Sequence, residues 1–506
     1  MNNRLKSILI SISLLLAIST QITLGSVRVV GTVFIDANAN GLQDKNEKGI
    51  KDIPVSNGRN IVFTNNKGIY HIDCQTSTSI FPILPSNYSF SNKFGNIPNA
   101  NFRYIIWRSG DNSLEVNFGL QKDHQTEKYS FAAVGDIQMK DASEVNYAAK
   151  SIIPELMTLH DNDFSLFLGD LVNDDPTLFP VVKDMLNSIG NPTWTVYGNH
   201  DREVNDSTTS DAGYNKVFGS SVYSFNKGKA HFMILNNMLP KGRYGYEESL
   251  SDGQLEFVEN DLKIVPKDRL IIIALHGPLK FTSNKDKLIA LLAGRTHILI
   301  LSGHTHTVAR YFHKNNASVI PEIGVGASCG MWWTGEKNEF GIPTSLMQCG
   351  SLPDYFRINI DQNNYSFSYK AIGFDASRQM EIWIDPLKLT DEIKKDSLAM
   401  PNTNIVANIF GGSDSTAVTL QIDSLPASTM NKTAMVSPNV SNLIELYNQK
   451  TYPTANNSRS PLRKKVSPHI WKASVPKVQS GIHIIKISAM DKYGLHAEGT
   501  QLFYIP

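Results

Sequence analysis

"HILILSGHTHT", His297 to Thr307, runs apolar from Ile298 to Leu301, breaks at Ser302-Gly303, and then places His304 and His306 two positions apart. A short apolar run ending in a glycine turn reads as a buried strand. Four other stretches share that design: "YSFAAVGDIQ", "DFSLFLGDLVND", "TWTVYGNHD" and "RLIIIALHG". Between them lie amphipathic runs of helical period, among them "ASEVNYAAKSIIPELMTLH", "LFPVVKDMLNSIG", "DGQLEFVENDLKIV" and "KDKLIALLAG". Near-continuous apolar strands bounded by helices predict an α/β domain over residues 128–372, its sheet covered on the faces. Ligands of open α/β sheets gather outside the carboxyl ends of the strands. All five breaks fall there, so one site is expected, built from Asp136, Gln138, Asp170, Asn199, His200, Asp201, His276, His304 and His306. His160, His297 and His313 lie away from these breaks and are expected to be solvated.

The flanks have a different texture. Residues 26–121 alternate β-branched and polar positions between asparagine and glycine turns, which predicts a small β-sandwich domain. Within it, "DANANGLQDKNE" places Asp36, Asn38, Asn40, Gly41, Asp44 and Glu47 at the first, third, fifth, sixth, ninth and twelfth positions of an EF-hand calcium loop, with the Leu42 carbonyl at the seventh. Calcium takes six or more hard oxygens, and the glycine permits the sharp turn that converges them. The segment before it, "VRVVGTVFI", is a strand instead of the usual entering helix, so a structural calcium is expected and not a sensor. A simple Asn-Gly turn is the competing reading. After residue 373 the helical period fades, and residues 373–506 are expected to form a β-rich domain.

Residues 1–25 combine Arg4 and Lys6 with an apolar stretch from Ile8 to Ile18 and small residues near Thr23 and Gly25, the pattern of a signal peptide. The apolar run is shorter than the roughly 20 residues that span a bilayer. A secreted or periplasmic protein without a transmembrane segment in its mature form is therefore expected. Across the 506 residues, 48 lysines and arginines face 47 acidic residues, so no basic field for a nucleic acid polymer is implied. Cys74, Cys329 and Cys349 are too few for a disulfide scaffold, although Cys329 and Cys349 share one loop-rich region and either pair or stay buried thiols.

Taken in order, "GDIQ", "GDLVND", "GNHD", "LHG" and "GHTH" resemble the five motif blocks of the calcineurin-like metallophosphoesterase superfamily. The layout of leader, small β domain, phosphoesterase and β-rich tail is similar to secreted bacterial members. The resemblance implies a four-layer αββα sandwich flanked by the two β domains, and two divalent metal ions. By position, Asp136 and His306 would hold the first ion, Asn199, His276 and His304 the second, and Asp170 would bridge them. Residues two apart in extended chain share a face with Cα atoms about 6.6 Å apart, and paired catalytic metals sit about 3.5 to 4 Å apart. His304 and His306 can thus each reach a different ion. Two dications against two carboxylates leave a cationic centre that attracts a phosphate oxyanion and stabilises transition-state charge. The implied reaction is hydrolysis of a phosphate mono- or diester, from a small molecule, lipid or glycan, by a metal-bridging hydroxide.

His200 would sit over the leaving oxygen as proton donor, with Asp201 as its orienting partner or else a turn cap. Gln138 departs from the family pattern, which has histidine there. A neutral, hard amide oxygen weakens the first site and leans it toward manganese or magnesium over zinc, with iron also open. Trp332 and Trp333, in the glycine-rich loop "GASCGMWWTGEKNEFGIP", would stack on an apolar part of the substrate or fill core. The competing function is a non-catalytic surface- or polymer-binding protein whose metal centre has degenerated at Gln138.

Overall fold

The computed structural model describes residues 26–107, 113–124, 126–203, 210–242, 245–316, 318–385, 403–448 and 462–505. The expected signal segment lies outside them. Two large sheets form the middle of the chain. The first contains β1 (Lys128–Val134), β2 (Phe164–Phe167) and β3 (Thr193–Thr195). The second contains β4 (Tyr223–Lys227), β5 (Ala230–Ile234), β6 (Leu270–Ala274), β7 (Ile298–Ser302), β8 (Ala309–Asn315) and β9 (Ser318–Gly324). The chain then returns to the first sheet as β10 (Asp354–Asp361) and β11 (Asn364–Ala371). The first sheet runs β3-β2-β1-β10-β11, and the second β4-β5-β6-β7-β9-β8.

In each sheet the motif-bearing strands are parallel neighbours, with Val134 opposite Phe167 and Phe167 opposite Thr195 in one, and Ala274 opposite Leu301 in the other. Parallel strands demand crossovers, which the helices Ala142–Lys150, Phe179–Asn187, Asp252–Ile264 and Lys285–Leu291 supply. Their ends are set locally: Asp141 accepts from the Ser143 and Glu144 amides, and Ser251 from that of Gln254. β6 and β7 are buried at all five positions, which is why their sequences are continuous and not alternating. The two sheets meet through aromatic rings. Phe131 of β1 stacks on Phe164 at 4.7 Å, and both meet Phe232 of β5 edge-on at 5.6 and 5.5 Å. This is the αββα core with β-rich flanks that the motifs implied.

On the amino-terminal side, Val27–Ile35 pairs antiparallel with Ile69–Cys74 and parallel with Phe118–Lys122, in a sheet separate from the one formed by Ile61–Phe63, Pro54–Ser56, Thr78–Pro82 and Arg103–Ile105. Asn99 donates to Thr195 Oγ1 at 2.9 Å and so ties this unit to the end of β3. Among the described residues, the carboxy-terminal part holds two four-stranded sheets. It also contains a helix, Pro438–Asn448, which the fading helical period did not predict. The helix forms because Val440, Leu443 and Ile444 fall three and four residues apart on one face, with Val440 fully buried.

One sequence expectation is corrected here, and one left open is decided. His313 is buried and its Nε2 lies 2.6 Å from Glu322 Oε2, because β8 pairs with β9 and places the ring beside that buried carboxylate. The three cysteines are free and buried, Cys329 and Cys349 included.

Candidate metal centre and active site

The segments that follow β1, β2, β3, β6 and β7 bring Asp136, Asp170, Asn199, His276, His304 and His306 together. Glycine makes the approach close enough at two points. A Cβ on Gly198 would lie 2.2 Å from Asp170 Oδ1, and one on Gly303 2.5 Å from Asp136 Oδ1. Several non-glycine residues also take left-handed backbone angles, with φ of 37° at Gln138, 50° at Asp170, 69° at His304 and 46° at His306. Such strain is typical of functional sites, where surrounding structure over-determines the conformation.

His276 is the hub. Its Nδ1 donates to the Leu168 carbonyl at 2.7 Å, which turns Nε2 inward. Around that Nε2, each at 3.2 Å, stand Asp170 Oδ2, Asn199 Oδ1 and His304 Nδ1. Three of these atoms are acceptors or lone-pair nitrogens that have no reason to converge without a positive charge between them. Ligand atoms of Asp170, His276 and His304 all lie within 4.8 Å of one another. Burial would lower the pKa of His276, but Asp170 and Asp136 push it up to about 9. Burial and the neighbouring His276 push His304 down to about 4. Burial opposes ionisation of Asp170, yet His276 and His200 hold its pKa well below the usual carboxylate range. The cluster is thus one that could hold a cation.

Beside this group, Asp136 Oδ2 lies 3.2 Å from His306 Nε2 and has no hydrogen-bond partner though buried. His306 Nδ1 donates to the Gly330 carbonyl, again leaving Nε2 to face the carboxylate. The His304 amide donates to Asp136 Oδ1 at 2.9 Å and joins the two halves. An orphaned buried carboxylate oxygen and inward-facing imidazole nitrogens fit divalent cations in the places assigned by motif. Gln138 is buried, and its amide nitrogen donates to Asn173 at 3.2 Å. Its Oε1 faces Cys329 Sγ at 4.0 Å, and that sulfur lies 3.8 Å from His306 Nδ1. The amide therefore stands on the His306 side of the centre.

The partner of His200 is not the one expected. Asp201 is buried and spends both oxygens on backbone, accepting at 3.0 Å from the Val172 and Gly198 amides. It clamps the "GDLVND" loop to the "GNHD" loop, and burial together with Asp170 pushes its pKa up to about 7. The residue facing the imidazole is Asp174, whose Oδ2 lies 3.0 Å from His200 Nδ1. Burial lowers the pKa of His200, but Asp170 and Asp174 raise it above the usual histidine value. Asp175 accepts from the Thr177 amide and starts the turn at Pro176.

The tryptophans divide. Trp333 is buried, its indole N–H donating to the Ile137 carbonyl at 3.0 Å, so it is core and not a substrate platform. Trp332 is partly exposed and its ring lies 4.9 Å from that of His306, at the edge of the site. Sequence reasoning missed Tyr246, whose hydroxyl is 3.1 Å from His304 Nε2. An aromatic residue in the glycine-bearing turn "GRYGYEE" was the one available signal, and nothing local links it to a histidine far along the chain.

In the amino-terminal loop, Asp36 accepts from the Asn40 and Gly41 amides, and Glu47 from those of Ala37 and Asp44. Asn38 and Asn40 turn their amide nitrogens to Asp44 Oδ2, at 2.6 and 3.0 Å, while Leu42 is 69% exposed. The residues of the calcium pattern are thus gathered into one closed turn, cross-linked by amide donors.

Three models of known families match the chain: the N terminal of calcineurin-like phosphoesterase over residues 37–123, calcineurin-like phosphoesterase over 129–308, and the C terminal of calcineurin-like phosphoesterase over 322–496. A 3',5'-cyclic-nucleotide phosphodiesterase of Nostoc sp. is 30% identical over 164 residues, which is 30% of this chain. The chain spans 59% of the length of that relative. Among solved structures, the purple acid phosphatase PPD1 of yellow lupin (Lupinus luteus) aligns with a TM-score of 0.34 and 13% identity, covering 63% of this chain and 67% of the other. Vps29 of Chaetomium thermophilum aligns with a TM-score of 0.21 and 14% identity, covering 48% and 97%. Matches to one family run with short gaps from residue 37 to residue 496, and the chain belongs to the calcineurin-like phosphoesterases.

Proposed function

We propose that the chain is a secreted, dinuclear metallophosphoesterase that hydrolyses a phosphate mono- or diester. The observation that carries this reading is the convergence of Asp170, Asn199, His276 and His304 on one point, with the Asp136–His306 pair beside it. Asp136, His306 and Gln138 would hold one ion, Asn199, His276 and His304 the other, and Asp170 both, with manganese favoured. When bound, the ions polarise phosphoryl oxygens and make water nucleophilic near neutral pH. Asp136 and Asp170 fix the charge of the centre, and the backbone N–H bonds they accept hold the loops in place. His200, its pKa raised above the usual histidine value by Asp170 and Asp174, donates a proton to the leaving oxygen, oriented by Asp174. Trp332 borders the substrate. Export is supported by the composition of residues 1–25, and no helix among the described residues is long and apolar enough to cross a membrane. We read residues 26–121, 128–372 and 373–506 as its three units.

The test is turnover with manganese of p-nitrophenyl phosphate, bis(p-nitrophenyl) phosphate and, because of the Nostoc relative, 3',5'-cyclic nucleotides. Turnover that disappears in Asp170→Ala is expected. Two bound equivalents of metal with no turnover of any ester would refute the activity. One equivalent or less, with no turnover, would favour the binding-protein reading.

A further inference from the structure

We infer that Tyr246 is a positioning residue of the metal centre: by accepting the Nε2 proton of His304, it fixes the tautomer in which the Nδ1 lone pair faces Asp170 and His276. The inference rests on the reading of His304 as a ligand.

A neutral imidazole has one N–H, and which nitrogen carries it is set by the partner of the other. The His304 ring stands between two groups, with Nδ1 at 3.2 Å from His276 Nε2 and Nε2 at 3.1 Å from the Tyr246 hydroxyl. The rings of Tyr246 and His304 meet edge-on, 5.6 Å apart. A phenol oxygen can accept as well as donate, so it can receive the Nε2 proton once a cation claims the lone pair on Nδ1. Among the described residues, His304 is the one hydrogen-bond partner of the hydroxyl, so no competing acceptor holds it in the other role.

The hydroxyl is placed by an element anchored to the other motif loops. Tyr246 sits in the hairpin of Met238–Lys241 and Gly245–Glu248, opposite Pro240. The base of the hairpin is closed by bonds from the Ser249 amide to the Asn237 carbonyl at 3.0 Å and from Ser283 to Glu248 at 2.8 Å. It packs on the residue after His276: a Cβ on Gly277 would meet Met238 Cε at 2.3 Å and Glu248 Oε2 at 2.9 Å. Near the tip, Arg202, which follows the "GNHD" motif, donates to the Gly245 carbonyl at 3.0 Å. The hairpin is therefore braced against the His276 loop and the His200 loop at once. Ring and hydroxyl cannot drift far from His304 without breaking those contacts.

Tyr246→Phe keeps the ring and the hairpin and removes only the oxygen. Manganese binding to the metal-free full chain is measured by titration calorimetry, alongside thermal unfolding of the same preparations. Loss of a partner that orients a ligand histidine typically costs about 10- to 100-fold in metal affinity. The expected result is a loss of that size at one of two sites, with the melting temperature of the metal-free protein unchanged. A variant that binds manganese as tightly as the wild type at both sites overturns the inference. So does a loss of affinity matched by a fall in melting temperature, which would make the hydroxyl a general structural element. The isotherm does not depend on catalysis. A shifted isotherm in a protein that turns over no ester would leave Tyr246 in place and sink the phosphoesterase reading, whereas normal turnover with an unmoved isotherm would do the reverse.

Discussion

Replacing Asp174 by asparagine separates the charge that faces His200 from its shape. The carboxylate lies 3.0 Å from Nδ1, with the His200 side chain 31% and the Asp174 side chain 42% exposed. Unit charges about 4 Å apart attract by ~1 kcal/mol in water and ~4 kcal/mol at an effective dielectric of 20. Partial exposure places this pair at or below the lower figure, at about 0.2 to 1 kcal/mol. One pH unit corresponds to ~1.4 kcal/mol. The sign follows from the role of His200. A proton donor is active below its pKa, and activity is lost as pH rises through it. Asp174 raises that pKa, so Asp174→Asn moves the basic limb of the kcat profile to lower pH, by up to about 0.7 unit. The assay is kcat against pH at saturating manganese with an aryl phosphate. Asp201→Asn is the control. Its oxygens hold the Val172 and Gly198 amides and not the imidazole, so the variant loses stability, about 1 to 3 kcal/mol for one orphaned buried donor, without moving the limb. An unmoved limb in Asp174→Asn, or an equal shift in Asp201→Asn, would refute the assignment.

The two tryptophans offer a contrast in one loop. Trp333→Ala should cost about 3 to 5 kcal/mol of stability by thermal or denaturant unfolding, whereas Trp332→Ala should leave stability nearly unchanged and alter KM or kcat for bulky esters. Glu322→Gln disrupts a buried group bonded to His313, Ser302 and the Leu279 amide, and should destabilise by about 3 to 5 kcal/mol in the same unfolding assays. In the amino-terminal loop, calcium at about 100 times its dissociation constant should stabilise by roughly 2.7 kcal/mol. Glu47→Gln should abolish that calcium-dependent rise in melting temperature. A rise that survives the substitution would place the ion elsewhere.

The α/β core and the residues that gather at its mouth were legible because the information is local. A buried strand must be apolar throughout, a parallel strand must be followed by a crossover, and the polar residues at its carboxyl end have one edge of the sheet to occupy. Thus Asp136, Asp170, Asn199, His276, His304 and His306 could be assembled from five short strings, without knowing any distance. The helix Pro438–Asn448 was less legible, since one short amphipathic segment among strands gives a weak periodic signal.

What the string of residues could not decide was which side chains meet across loops. Asp201 adjoins His200 in the chain, yet its carboxylate points to backbone, and Asp174 from another loop faces the ring. Trp332 and Trp333 are neighbours, but successive side chains leave the backbone in different directions, and only one reaches the site. Tyr246 meets His304, and His313 meets Glu322, because hairpins and sheet pairing bring them together. Composition and spacing thus determined the elements and where the clustered polar residues emerge. The packing of loops in three dimensions alone determined their partners, because a contact formed across space leaves no periodic trace in the chain.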